Sequence, residues 1–111
     1  MNKTDKLFIR HILDSINQLE YHVKGISEDK FSKNVTIQDA VLRRLEIIGE
    51  ASKNISFEFR KEHRNIDWRK VIGFRNVIVH QYFEVDIHIV WVTLITDIPV
   101  LKKNLESLLE D

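Results

Sequence analysis

The sequence predicts an all-α fold, a bundle of four to five helices, on three observations. Apolar residues recur at three- and four-residue steps along most of the chain, the spacing that lines up one face of a helix. The 111 residues include only three glycines and one proline, too little punctuation for the tight turns of an all-β fold. No pair of alternating apolar and polar runs marks a hairpin, and no repeat, low-complexity run or linker stands out. At this length the chain supports one hydrophobic core and not two, so residues 1–111 are read as a single domain.

The first helix is expected from Thr4 to Lys24, with Phe8, Ile12, Ile16, Leu19 and Val23 on one stripe and Gly25 as its stop. Residues 26–35 are polar and read as a short helix or a loop. Thr36 is the expected N-cap of the second helix, with Asp39 three positions on as a shortened capping box. That helix carries Ile37, Val41, Leu45, Ile48, Ser52 and Ile55. A brief third helix is expected over Phe57–His63, and Asp67 is the expected cap of a fourth, Trp68 to about His80. Asp86 caps the last, in which Ile87, Val90, Trp91, Leu94, Ile95, Ile98, Leu101, Leu105 and Leu108 form the stripe. Ile89, Val92 and Val100 lie off it, which predicts a central position or a subunit contact. Pro99 is expected to kink or break that helix.

Composition excludes several chemistries. With no cysteine there is no disulfide, thiol nucleophile or cysteine metal site. The histidines at 11, 22, 63, 80 and 88 form no His-x3-His pair, so a metal site is not expected. His63, among Arg60, Lys61 and Arg64, reads as surface, and His88 as a packing or rim residue of the last helix. No apolar run approaches the ~20 residues of a membrane span, and the N-terminus has no signal-peptide core. The expectation is therefore a soluble cytoplasmic protein. Net charge is zero, but residues 43–75 hold nine basic against five acidic side chains and residues 84–111 two against six. Zero net charge argues against tight nonspecific coating of nucleic acid, while the basic middle could still receive a phosphate backbone.

Chemistry concentrates in residues 75–82, Arg-Asn-Val-Ile-Val-His-Gln-Tyr. Arginine complements phosphate oxygens with a permanent charge, and histidine is the side chain most easily poised for proton transfer near neutral pH. At 100° per residue, Trp68, Val71, Ile72, Phe74, Ile78 and Val79 fill one broad arc of the fourth helix, and Arg75 falls within it. Arg69, Gly73, Asn76 and His80 share a narrow second arc. Asn76 and His80, four apart, are placed for a side-chain hydrogen bond, and Gly73 leaves room for another helix or a ligand backbone. Arg75 in an apolar arc suits a buried ion pair, with Glu46 or Glu50 as partner, as readily as a ligand site. His80 near a helix C-terminus suits a dipole contact as readily as catalysis. Arg75 and His80 are five apart, about 140° around the helix, so one regular helix does not aim both at one atom. A two-fold homodimer with the segment at its interface would.

Arg75-x4-His80-x-Tyr82 resembles the Arg-x4-6-His motif of HEPN ribonucleases, and more closely the HepT toxins of HepT–MntA toxin–antitoxin pairs. Arg44-Leu-Glu-Ile-Ile-Gly-Glu-Ala51, Ile66-Asp-Trp68, Ile72-Gly-Phe-Arg-Asn76, and Val85-Asp86 leading to Val90-Trp91 agree with it over roughly residues 5–108. The resemblance implies a HEPN-like homodimer that cleaves RNA with neither metal nor cofactor. Arg75 would neutralise the scissile phosphate and His80 would transfer protons. Asn76 would orient His80 or a phosphate oxygen, and Glu46 and Glu50 would support Arg75. In-line attack by a ribose 2′-hydroxyl would leave a 2′,3′-cyclic phosphate and a 5′-hydroxyl. Tyr82 matches the tyrosine that a minimal nucleotidyltransferase antitoxin, MntA-like, modifies with AMP, and adenylate beside Arg75 would then block RNA. The alternative is a noncatalytic HEPN module that binds a nucleotide or scaffolds the nucleotidyltransferase. A purely structural helical dimer leaves Asn76, His80 and Tyr82 unexplained.

Overall fold

Six of the seven α-helices among the described residues begin at a polar side chain that takes up an orphan backbone N–H of the first turn. In the computed structural model, which describes residues 1–110, Asn2 accepts from Asp5 N at 2.7 Å and opens α1, Lys3–Val23. Gly25, at φ 75°, turns the chain where a side chain would be strained. Ser27 then caps α2, Glu28–Lys33. The middle of the 26–35 segment is thus a short helix, held by Phe31, which is fully buried and packs on Trp91 at a ring separation of 5.4 Å.

α3 runs Val35–Asn54 and is capped by Asn34, whose side chain accepts from Ile37 N at 3.0 Å. The expected cap, Thr36, lies inside the helix: Asn34 closes α2 and opens α3 at once, so the second helix starts earlier than its own pattern suggests. α4 spans Phe57–Glu62 behind Ser56, and α5 spans Trp68–His80 behind Asp67, which accepts from Lys70 N at 3.0 Å. A 3₁₀ turn follows at Tyr82–Glu84. Asp86 then caps α6, Ile87–Val92, which runs through a π segment, Thr93–Asp97, into α7, Ile98–Leu109. No strand occurs among the described residues. The fold is the expected all-α, HEPN-like bundle.

Pro99 accounts for the π segment. It has no N–H to give the Ile95 carbonyl and its ring crowds that carbonyl. The ladder widens one turn earlier, where Ile98 N bonds to Thr93 O across five residues, and the rod continues instead of breaking. Along this rod Val90, Leu94, Ile98, Leu101 and Leu105 are buried as expected. Ile95 is not: it joins Ile89, Val92 and Val100 on an exposed apolar face. The stripe extrapolated through the π segment at a constant angle therefore fails at Ile95.

α3 is the central helix, packed against both α1 and α5, and α7 packs on α1. Ile9, Ile12, Ile16 and Leu19 of α1 meet Val41, Leu45 and Ile48 of α3 in the core. Each such side chain contributes about 1.5–3 kcal/mol on leaving water.

Asp5 is buried, and its carboxylate accepts from Ser56 N at 2.8 Å and Ser56 Oγ at 2.7 Å. Ser56 Oγ in turn accepts from Phe59 N at 3.3 Å, so α1 secures the cap of α4. Asp5→Asn removes the charge from both bonds and sets an N–H against the serine hydroxyl. The expected loss is about 1.5 kcal/mol, read from urea unfolding.

Candidate functional site

Arg75 sits where α3 and α5 come closest. A Cβ on Gly49 would lie 2.2 Å from Arg75 Cβ and 3.1 Å from the Val71 carbonyl oxygen, so glycine is what permits the approach. The contact leaves the Arg75 side chain only 20% exposed and turns its guanidinium along α3. Nη2 meets Glu50 Oε2 at 2.9 Å, and Nη1 donates to Asn76 Oδ1 at 2.9 Å. Nε is buried and has no partner among the described residues. Of the two carboxylates considered for Arg75, Glu50 is the one that reaches it. Glu46 pairs instead with Arg43 at 3.4 Å, three residues away on the same helix. Both glutamates, with Phe8 and His11 of α1, line a cleft of about 300 Å³ that includes Arg75.

The expected Asn76–His80 hydrogen bond is absent among the described residues, because the Asn76 amide oxygen is taken by the nearer Arg75 guanidinium. His80 lies at the exposed end of α5 with no hydrogen-bond partner among the described residues, and it does not line the Arg75 cleft. One chain thus gathers Arg75, Asn76 and Glu50, with Glu46 at the edge, and leaves His80 apart. At Gly73 the room expected for another helix or a ligand backbone is open. Nothing in the chain lies within 4 Å of where its Cβ would be, so it borders open space and the intramolecular close approach falls to Gly49.

Tyr82 is tied to α3, its hydroxyl donating a short hydrogen bond to the Asp39 carboxylate. Asp39 is free to accept because Asn34, not Thr36, caps α3 and no capping box forms. Asp39 and Glu50 are eleven positions apart on that helix, about 16 Å at 1.5 Å per residue. Within one chain the phenol is therefore not beside the Arg75–Glu50 pair. The hydrogen bond to Asp39, with a smaller contribution from lost hydration, raises the Tyr82 pKa above the ordinary tyrosine value. The contact is thus complete at neutral pH and is lost as pH rises through that raised value. The chain has two tyrosines, and Tyr21 is exposed. Ultraviolet titration of the phenols is expected to show Asp39→Asn lowering the later of the two ionisations.

His63 is half-buried rather than a surface residue. It packs on Phe59 at 4.3 Å, and its carbonyl accepts from Trp68 Nε1 at 3.0 Å. His88 is a rim residue, with Nδ1 2.5 Å from Glu28 Oε1. Among the described residues no three His, Asp or Glu side chains gather to hold a metal ion, and no helix is long and apolar enough to cross a membrane. Sequence reasoning missed the parts of the site that depend on a second helix. Asp39 reads locally as a cap, and Gly49 has no periodic signal, since its role is defined by Arg75 opposite.

Comparison with known proteins gives the family. No solved structure matches the chain. A protein of Caldanaerobacter subterraneus subsp. tengcongensis with the name "Putative RNase" is 40% identical over 97% of this chain and 96% of its own length. The probable ribonuclease HepT of Thermococcus cleftensis is 39% identical over 97% of this chain and 98% of its own. A Methanocaldococcus jannaschii protein with the name "Gamma-glutamylcyclotransferase and putative RNase" is 40% identical over the whole chain, which spans only half of that relative. The family model described as Ribonuclease HepT-like matches residues 12–108, which include every residue of the Arg75–Tyr82 segment. On these matches the chain belongs to the HepT-like ribonuclease family.

Proposed function

We propose that the protein is a metal-independent endoribonuclease acting as a homodimer, with Arg75 binding the scissile phosphate and His80 transferring protons. The observation that carries this reading is Arg75 held between Glu50 and Asn76, on a helix that ends in an exposed, unpartnered His80, in a chain of this family. A guanidinium fixed by two neighbours needs little reorganisation when a phosphate arrives, which is how preorganised charge lowers a barrier. The proton of a ribose 2′-hydroxyl is withdrawn as its oxygen attacks phosphorus. The P–O5′ bond breaks and the 5′-oxygen takes up a proton, giving a 2′,3′-cyclic phosphate and a 5′-hydroxyl.

A second copy supplies what one chain leaves apart. The exposed apolar side chains of Val77 and Val79 on α5, and of Ile89, Val92, Ile95 and Val100 on the last rod, are the surface it would cover. Tyr82 is the residue we assign to modification by AMP from a nucleotidyltransferase partner, with the protein as the toxin of a toxin–antitoxin pair. Tyr82 is 42% exposed, and its hydroxyl becomes reachable once released from Asp39.

The test is cleavage of single-stranded RNA in excess chelator, with end-group analysis of the products and the molar mass measured by light scattering. Cyclic phosphate ends from a species of twice the chain mass are expected. Dependence on added metal, 5′-phosphate ends or activity in the monomer would overturn the mechanism. The Arg75–Glu50 pair also suits a noncatalytic module that binds nucleotide, and tight partner or nucleotide binding without any cleavage would establish that reading instead.

A further inference from the structure

A groove of about 780 Å³ runs between α4 and α5, on a different face of the molecule from the Arg75–Glu50 cleft. Its walls carry Arg60, Lys61, Arg64 and Arg69. None of the four forms an ion pair among the described residues, and Arg60 Nε is buried with no partner. Unpaired cations held together repel one another, so an anion is what such a surface lacks.

The charges are sorted by helix face. On α4, Phe57, Arg60 and Lys61 face the groove, while Glu58 and Glu62 line a separate cavity with Asp5 and Lys6. The one carboxylate in the groove, Asp67, is engaged in capping α5. Phe57 is 68% exposed at the edge, an aromatic face available to a base.

The α5 wall of the groove includes the row Arg69, Gly73 and Asn76, and the next position in that row is His80. From Arg69 to His80 is about 16 Å along the helix, room for a short run of nucleotides. Asn76 joins the two faces, since it lines the groove and accepts from Arg75.

We propose that the α4–α5 groove holds the sugar–phosphate backbone of a single-stranded polynucleotide and leads it along the Arg69–Gly73–Asn76 row to His80. The destination rests on the ribonuclease reading; the binding does not. The strand is contacted through phosphates by Lys61, Arg64 and Arg69, and a base stacks on Phe57. Recognition is therefore tolerant of sequence and sensitive to salt.

The probe is a fluorescein-labelled 2′-O-methyl oligouridylate, which has no free 2′-hydroxyl and cannot be cut by the proposed chemistry. Anisotropy is measured from low to physiological salt. The triple variant Lys61→Gln, Arg64→Gln, Arg69→Gln is expected to lower the slope of log K against log salt by about 2 and to weaken binding by about 100-fold at low salt. A control with Lys3→Gln, Lys30→Gln and Lys103→Gln removes the same charge elsewhere and is expected to stay within about 3-fold of wild type. All six side chains are exposed, and if the triple variant unfolds, Lys61→Gln and Arg69→Gln singly should each lower the slope by about 0.7. Equal losses in the groove and control sets would overturn the groove. So would equal displacement of the probe by polyglutamate and polyuridylate at equal charge, which would assign the surface to an acidic protein. Binding that depends on the groove in a protein that cuts no RNA would uphold the groove and reject the ribonuclease reading. Cleavage unaffected by the groove substitutions would do the reverse.

Discussion

His80→Ala is expected to slow RNA cleavage by about 100- to 10,000-fold, the usual contribution of a positioned proton-transfer group, or about 3–5 kcal/mol of barrier. The fold should be nearly untouched. His80 is exposed and has no hydrogen-bond partner among the described residues, so its removal opens no cavity and orphans no polar group. The structural term is the favourable placement of a cationic side chain in the last turn of α5, about 0.3–1 kcal/mol when the imidazole is protonated. Single-turnover cleavage in chelator, measured beside urea unfolding of the same samples, separates the two. Arg75→Ala does not offer that separation, because it strands Glu50 and Asn76 and should reduce stability and activity together. An undiminished rate for His80→Ala would remove the imidazole from the chemistry.

Gly49→Ala is expected to destabilise the protein by about 2–3 kcal/mol although alanine is the better helix former by ~1 kcal/mol. The added methyl would stand 2.2 Å from Arg75 Cβ and 2.9 Å from Cγ, and neither is the free end of a flexible chain. The backbone carbonyl of Val71 closes the remaining side at 3.1 Å. Relief requires α3 and α5 to separate, which moves the guanidinium and should lower activity as well. A double substitution identifies the cause. On an Arg75→Gly background, which lacks the Cβ that clashes, Gly49→Ala should cost little, so most of its loss is recovered, whereas on an Arg75→Ala background, which keeps that Cβ, little is recovered. Similar recovery in both would place the strain elsewhere. Unfolding midpoints of the six proteins, wild type with three single and two double variants, decide it.

α5 is the element where sequence and structure agree most fully, from the Asp67 cap to His80, because cap, apolar arc and polar row all belong to one continuous segment. The arc even put Arg75 against α3, where Glu50 meets it. Local reasoning went astray where one residue serves two elements, as Asn34 does at the α2–α3 junction, and where a proline changes the helical pitch upstream of itself, as at Ile95. The candidate site was legible as a set of residues and not as an arrangement. Arg75 and Asn76 pair with each other, His80 stands alone, and Tyr82 is claimed by Asp39. Those outcomes depend on which helix lies opposite, and periodicity along one strand of sequence carries no record of that.

The tie between Asp5 and Ser56 gives the first turn of the polypeptide authority over a region it never touches. Ser56 anchors the short helix that presents Arg60 and Lys61, so trimming or retagging the amino end is liable to loosen the cationic wall from behind. Two preparations differing only before residue six could then hold the same nucleic acid with unequal strength.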